Sequence, residues 1–206
     1  MDLVFDIETD DIAATVIHCI VCQDPESGEI FKFKPDQIAA GCKFLADADT
    51  LIGHNIVGFD IPVIKKLTGV DLAGKKLIDT LVLSRLFNPI REGGHSLGAW
   101  GYKLKYPKIN FEEYLTYTPE MLKYCVRDVQ LNTMVFKALS IEVKQFSKDS
   151  VDLEHDVARI MKQQEENGFK FDSFSAEILL AELREKKQKI EDEVHNTFNK
   201  ERWYVI

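Results

Sequence analysis

Asp6 and Glu8 stand two residues apart in the apolar run Leu3-Val4-Phe5-Asp6-Ile7-Glu8-Thr9. In an extended chain alternate side chains share a face, so the two carboxylates point the same way. Leu3, Val4, Phe5 and Ile7 mark a strand buried on at least one side. Two like charges held together in a core repel each other and lose hydration. A shared proton, a basic partner or a divalent cation relieves that conflict. The first thirty positions contain no Lys or Arg, so a cation is the economical expectation. A solvated Asp-x-Glu on a half-exposed strand is the alternative. Carboxylate oxygens suit Mg²⁺ or Mn²⁺ better than a soft metal.

Two further carboxylate motifs follow. In Asn55-Ile56-Val57-Gly58-Phe59-Asp60, Asp60 precedes Ile61-Pro62, where a helix can begin. An Asp there also reads as a simple N-cap. In Tyr124-Cys125-Val126-Arg127-Asp128 the first and last residues are one helical turn apart and share a face. Leu122, Cys125, Val129 and Phe136 trace the apolar stripe of that helix, with Tyr124 and Asp128 on its flank.

These motifs need elements to hold them. Residues 2–7 read as a central strand, followed by strands over 15–23 and 29–34 joined by Asp24-Pro25-Glu26-Ser27-Gly28. A helix from Pro35 to about Asp47, a strand at 50–53, a helix at 60–68 and a strand at 76–79 come next. Helices near 80–87 and 96–102 lead into 103–118, which has no clear period. From Pro119 a long helix runs to about Gln145. The pattern is an α/β fold, a mixed sheet with helices on its faces. Near Ser147-Lys148-Asp149-Ser150 the character changes and everything beyond is helical. Leu153, Val157, Ile160 and Met161 keep helical spacing up to the Asn167-Gly168 stop. A last helix, capped by Asp172 or Ser173, carries Leu179, Leu183, Ile190, Val194 and Phe198 on one face. The expected division is therefore 1–147 for the α/β domain and 148–206 for a helical hairpin. The apolar end Trp203-Tyr204-Val205-Ile206 is unlike a finished surface tail.

The chain has 206 residues, and its net charge of −8 argues against charge-driven coating of duplex DNA. A site that carries its positive charge as metal is compatible with that balance. Cys19-x-x-Cys22 lacks a second pair and sits in an apolar stretch, so core packing is expected for it. There is no signal-like start and no apolar run long enough to span a bilayer, so a soluble intracellular protein is expected.

Taken in order, the three motifs resemble those of DEDD-superfamily exonucleases, and Tyr124 places the chain with the DEDDy branch. Ile78-Asp79-Thr80-Leu81-Val82-Leu83-Ser84-Arg85-Leu86 and His95-Ser96-Leu97-Gly98-Ala99-Trp100-Gly101-Tyr102 resemble segments of family A phage replicative DNA polymerases of the short-tailed, T-seven type. So do Leu153-Glu154-His155 and Asn167-Gly168-Phe169-Lys170-Phe171-Asp172, at the passage from exonuclease to polymerase. The resemblance implies a ribonuclease H-like fold with a C-terminal helical extension resembling the start of a thumb. It implies a proofreading 3′→5′ exonuclease acting on single-stranded or frayed DNA 3′ ends with two divalent cations, Mg²⁺ or Mn²⁺. By that likeness Asp6 bridges the ions, Glu8 and Asp128 hold the one that activates water, Asp60 holds the other, and Tyr124 orients the water. Thr9, Asn55 and Phe59 are the implied substrate contacts, and Phe111 and Tyr114 are further stacking candidates; a core or loop-packing role is the alternative for each. A polymerase domain or subunit is the implied partner, with no membrane association. Two other readings stand beside it: an RNA-trimming exonuclease of the same fold, and an inactive module that docks a separate polymerase chain.

Overall fold

The structure, a computed structural model, describes residues 1–198. The Trp203–Ile206 end and the last part of the expected 148–206 extension lie outside the described residues. Five strands form one mixed sheet: β1 (Asp2–Thr9), β2 (Ile17–Gln23), β3 (Ile30–Phe33), β4 (Thr50–Gly53) and β5 (Lys76–Asp79), in the order β3-β2-β1-β4-β5. β1, β2 and β3 pair antiparallel, whereas β4 and β5 continue the sheet in parallel on the other side of β1. The β2–β3 turn closes because Asp24 Oδ1 accepts the Glu26 N–H at 2.7 Å and Gly28 takes φ +78°. β1 is thus central, as its composition requires.

The two faces of β1 divide the core. Leu3, Phe5 and Ile7 join a buried cluster with Cys42 and Leu45 of α1 (Ile38–Asp47) and Ile61 and Ile64 of α2 (Asp60–Thr68). Val4, on the opposite face, packs with Cys19 and Val21 of β2, Ile52 of β4, and Cys125 and Val129 of α5 (Pro119–Glu142). Asp6 and Glu8 share the parity of Val4, so both carboxylates face α5. One hydrophobic alternation therefore builds the core and selects the helix that meets the carboxylates. α5 begins cleanly: Pro119 is its first residue and Thr118 Oγ1 accepts the Met121 N–H at 3.1 Å.

Between β5 and α5 lie α3 (Thr80–Phe87) and α4 (Leu97–Lys103). They form a third apolar cluster in which Leu83 and Trp100 pack with Leu131, Val135 and Leu139. The segment from Leu104 to the start of α5 carries no regular element, as its sequence suggests. α6 (Lys148–Asn167) and α7 (Ser173–Thr197) follow. The chain divides into two compact units, Met1–Glu166 and the residues from Asn167 onward. The first unit thus runs past residue 147 and includes nearly all of α6, whose His155 is buried. In the second unit α7 starts on an Asp172 cap and buries none of its residues. Among the described residues no helix is long and apolar enough to cross a membrane.

Candidate active site

Glu8 lies opposite Cys19 and Asp6 opposite Val21 in the β1–β2 ladder, so the two carboxylates project together over α5. Ligand atoms of Asp6, Glu8 and Cys125 fall within 4.8 Å of one another. The Cys125 thiol donates to the Asp6 carbonyl at 3.6 Å and to its Oδ2 at 3.7 Å. Burial keeps that thiol protonated, so it acts here as a weak donor rather than a thiolate ligand. One helical turn further along α5, Asp128 is 96 % buried, and its Oδ1 has no hydrogen-bond partner. Tyr124 is buried as well. Both therefore lie inside the packed face of α5 and not on its flank. Phe111 stacks on Tyr124 at 5.4 Å and Tyr114 meets it edge-on at 6.3 Å. Those two aromatics thus wall in Tyr124.

Asp60 is the first residue of α2, but it does not cap that helix. Phe59 occupies the cap position, and Asp60 Oδ1 accepts the Ile7 N–H at 3.2 Å. β4 pairs only with residues 2–4 of β1, and Asp60 meets the strand backbone beyond that point. This contact ties the second motif directly to the strand between Asp6 and Glu8.

The carboxylates share one electrostatic predicament. Burial, then the charges of Asp60, Glu8 and Asp128, hold Asp6 well above the usual carboxylate range. Burial, with Cys19 and Asp128 adding to it, pushes Glu8 up to about 9. Burial pushes Asp60 up to about 7. Asp128 is raised by burial against the opposing pull of Lys108 and the Tyr124 hydroxyl. The Tyr124 phenol is raised too, by burial and then by Asp128, so it is no base at neutral pH. Clustered buried acids with an orphaned carboxylate oxygen fit a divalent cation, which would satisfy that oxygen and remove the mutual repulsion.

One basic side chain does reach the cluster. Lys108 Nζ lies 2.5 Å from Asp128 Oδ2 and 4.7 Å from the Tyr124 ring centre. No sequence signal announces it, because it comes from the irregular segment ahead of α5. Of the other lysines near these motifs, Lys65 pairs with Asp71, Lys66 donates to the Ala13 and Ala14 carbonyls, and Lys103 sits over Trp100. His54 accepts or donates at Thr80 Oγ1 and His95 at Ser84 Oγ, each at 2.9 Å, so both serve packing and not the acidic cluster.

The loop carrying the second motif is held by Asp79, a residue outside the three motifs. Its Oδ1 accepts the Asn55 N–H at 2.9 Å and the Leu81 N–H at 2.9 Å, and its Oδ2 accepts the Val57 N–H at 3.1 Å. The Asp79 N–H in turn donates to His155 Nε2 at 2.9 Å, which leaves the ring proton on Nδ1 to donate to the Val151 carbonyl at 2.8 Å. Asn55 adopts φ +66°, and a Cβ on Gly58 would lie 2.6 Å from Asn55 Oδ1. A side chain at position 58 would have to displace the Asn55 amide. Asp79→Ala removes the acceptor of four N–H groups at once, those of Asn55, Val57, Leu81 and Val82, of which that of Val57 is buried. It is expected to lower unfolding free energy by about 2–4 kcal/mol, given about 1–3 kcal/mol for each buried orphan. Chemical denaturation measures this, and a loss below about 1 kcal/mol would mean that the loop holds its shape without Asp79.

The three implied substrate contacts differ in availability. Thr9 is buried and its hydroxyl donates to the Asp11 carbonyl at 2.9 Å. Asn55 is exposed at the start of its loop. Phe59 is half-buried and lines a groove of about 400 Å³ together with Glu8, Thr9, Asp11, Ile12 and Tyr114. A groove of that size suits one nucleotide-sized group beside Glu8.

No family description matches the chain. It is 27 % identical to the DNA-directed DNA polymerase of Escherichia phage T7 and 28 % identical to that of Enterobacteria phage T3, in each case over 98 % of the chain. The chain spans 38 % of the length of either polymerase. Among solved structures, Brucella melitensis NrnC with bound Mg²⁺ superposes with a TM-score of 0.62 at 16 % identity, covering 81 % of this chain and 86 % of that one. The chain is a homologue of part of the T7 and T3 DNA polymerases, and its fold is ribonuclease H-like.

Proposed function

We propose that this chain is a metal-dependent 3′→5′ exonuclease, the proofreading part of a phage-type DNA polymerase, with the catalytic domain over 1–147 and a thumb-like extension over 148–206. One observation carries the reading: carboxylates from β1, α2 and α5 gather in a buried place that leaves Asp128 Oδ1 without a partner. The homology to two phage polymerases and the Mg²⁺ bound by the similarly folded NrnC support it.

Two divalent cations, Mg²⁺ or Mn²⁺, would supply a nucleophilic hydroxide and stabilise charge on the leaving 3′-oxygen. Asp6, between the other acids, is suited to hold both ions. Glu8 and Asp128 would hold one and Asp60 the other. Tyr124 keeps its proton and orients the attacking water through its hydroxyl, its ring fixed by Phe111 and Tyr114. Phe59 offers a ring to the terminal base across the groove, with Thr9 and Asn55 beside the sugar. The natural substrate is a single-stranded or frayed DNA 3′ end, and a polymerase domain or subunit is the partner.

The test is a 5′-labelled single-stranded oligonucleotide incubated with purified protein. The expected result is a ladder that shortens from the 3′ end with Mg²⁺ or Mn²⁺ and stops in chelator. Undiminished cleavage after thorough metal removal would sink the reading. Faster trimming of RNA than of DNA would move the substrate to the RNA-trimming alternative. A folded protein that binds metal but cuts neither would leave the docking role.

A further inference from the structure

Lys108 is the one cation, among the described residues, ion-paired to a carboxylate of the candidate site. Its aim is fixed on both sides. Ahead of it, the Tyr106 N–H donates to the Gly101 carbonyl at 2.8 Å, the Tyr106 hydroxyl donates to Gln130 Oε1 at 2.7 Å, and Arg127 covers the Tyr106 ring at 4.0 Å. Behind it, Phe111 stacks on Tyr124, and the Tyr114 carbonyl meets His18 Nε2 at 3.0 Å. A segment without regular structure is thus pinned to α4, α5 and β2 around this residue. The ammonium lies on Asp128 Oδ2 while Oδ1 of the same carboxylate stays unpartnered. One oxygen of a buried acid is met by an internal cation and the other is not.

We propose that Lys108 is an internal counter-ion that competes with divalent metal for Asp128. The inference rests on the reading of the acidic cluster as a metal site and adds to it a residue outside the three motifs. A divalent ion and an ammonium cannot both be at contact distance on one carboxylate without repelling each other. Metal entry therefore favours withdrawal of the Lys108 side chain on its flexible four-carbon stem. Its side chain is 30 % exposed, so the path of withdrawal leads to water and not into the core. Without metal, the same ammonium offsets part of the repulsion among Asp6, Glu8 and Asp128, whose charges all act on it. The cost of withdrawal is subtracted from metal affinity.

The experiment is Mn²⁺ binding followed by electron paramagnetic resonance, with no nucleic acid present. Lys108→Met and Lys108→Gln are expected to bind Mn²⁺ about 2- to 5-fold more tightly than the unaltered chain, the scale of a partly exposed ion pair. Lys108→Arg keeps the charge and is expected to bind no more tightly than the unaltered chain. A residue that merely packs the loop would give weaker binding in all three variants. Circular dichroism in chelator identifies any variant that does not fold, and either neutral variant alone suffices for the comparison. Equal or weaker Mn²⁺ binding by the folded neutral variants overturns the proposal and leaves the metal site standing. An unaltered chain that binds no Mn²⁺ overturns the metal reading itself, and the proposal with it.

Discussion

Asp6→Ala is expected to lower turnover by at least about 10²–10³-fold, the scale for losing one preorganised electrostatic contact to a transition state. It is also expected not to lower the melting temperature of the metal-free protein. The two outcomes follow from the same surroundings. Asp6 is desolvated and faces the charges of Asp60, Glu8 and Asp128. Its side chain accepts from the Cys125 thiol at 3.7 Å, a weak bond. Removing it relieves repulsion and costs little packing, while any ion that depends on this carboxylate loses its central ligand. Sites arranged for function in this way are stabilised by mutations that abolish the function. Tyr124→Phe should cost less, at most about 10²-fold, because only the orientation of water is lost and no proton transfer. Single-turnover hydrolysis of a short oligonucleotide measures both variants. If Tyr124→Phe proved as damaging as Asp6→Ala, the phenol would have to move a proton, against its raised pKa.

The parts of the site that could be read in the sequence are those governed by local period. Asp6 and Glu8 share a face because a strand alternates, and Tyr124 and Asp128 share one because a helix turns. What period cannot tell is how much of a helix a neighbouring segment covers. α5 is packed on one side by the sheet and on another by the segment bearing Phe111 and Tyr114, so Tyr124 and Asp128 lie buried where the apolar stripe alone put them at its edge. That segment has no period, and for the same reason Lys108 could not be paired with Asp128. The basic partner that the first thirty positions lack is thus supplied by a contact between an irregular segment and a helix.

Asp60 and Asp79 exchange the roles their contexts suggest. Asp60, ahead of a helix with Pro in its first turn, reads as a cap but bonds the Ile7 N–H across to β1. Asp79 is the true cap, of α3, and it also gathers the N–H groups of the loop after β4. An Asp-Thr pair ahead of an apolar helical run is a legible cap signal. Its second duty is not, because the loop donors come from residues more than twenty positions away. His155 shows the same limit at the expected boundary. The composition changes near 147, and His155 beyond it accepts the Asp79 N–H, a contact that no local pattern announces.

The thermal stabilisation given by saturating Mg²⁺ is expected to grow with pH, and to be larger near pH 8.5 than near pH 5.5. The sign follows from the buried acids. Glu8 titrates near 9 against an ordinary value of 4.5, and Asp60 near 7 against 3.8. Between those limits the folded chain holds protons that the unfolded chain has released. The unfolded state then binds fewer protons than the native state, so the stability of the metal-free protein falls as pH rises through this window. It is fully retained only below the ordinary carboxylate values, where both states are protonated. A divalent ion replaces those protons and binds the native state alone, so its stabilisation is weakest where the protons are already present. Other titrating groups tilt both curves equally, and the difference between chelator and Mg²⁺ removes them. Differential scanning fluorimetry at several pH values supplies the measurement. A gain that stays flat or shrinks with rising pH would show that the acids of β1 and α2 are not the ones that receive the metal. In Asp60→Asn the part of the gain that develops around pH 7 should vanish, because the proton that the metal displaces there is no longer present to compete.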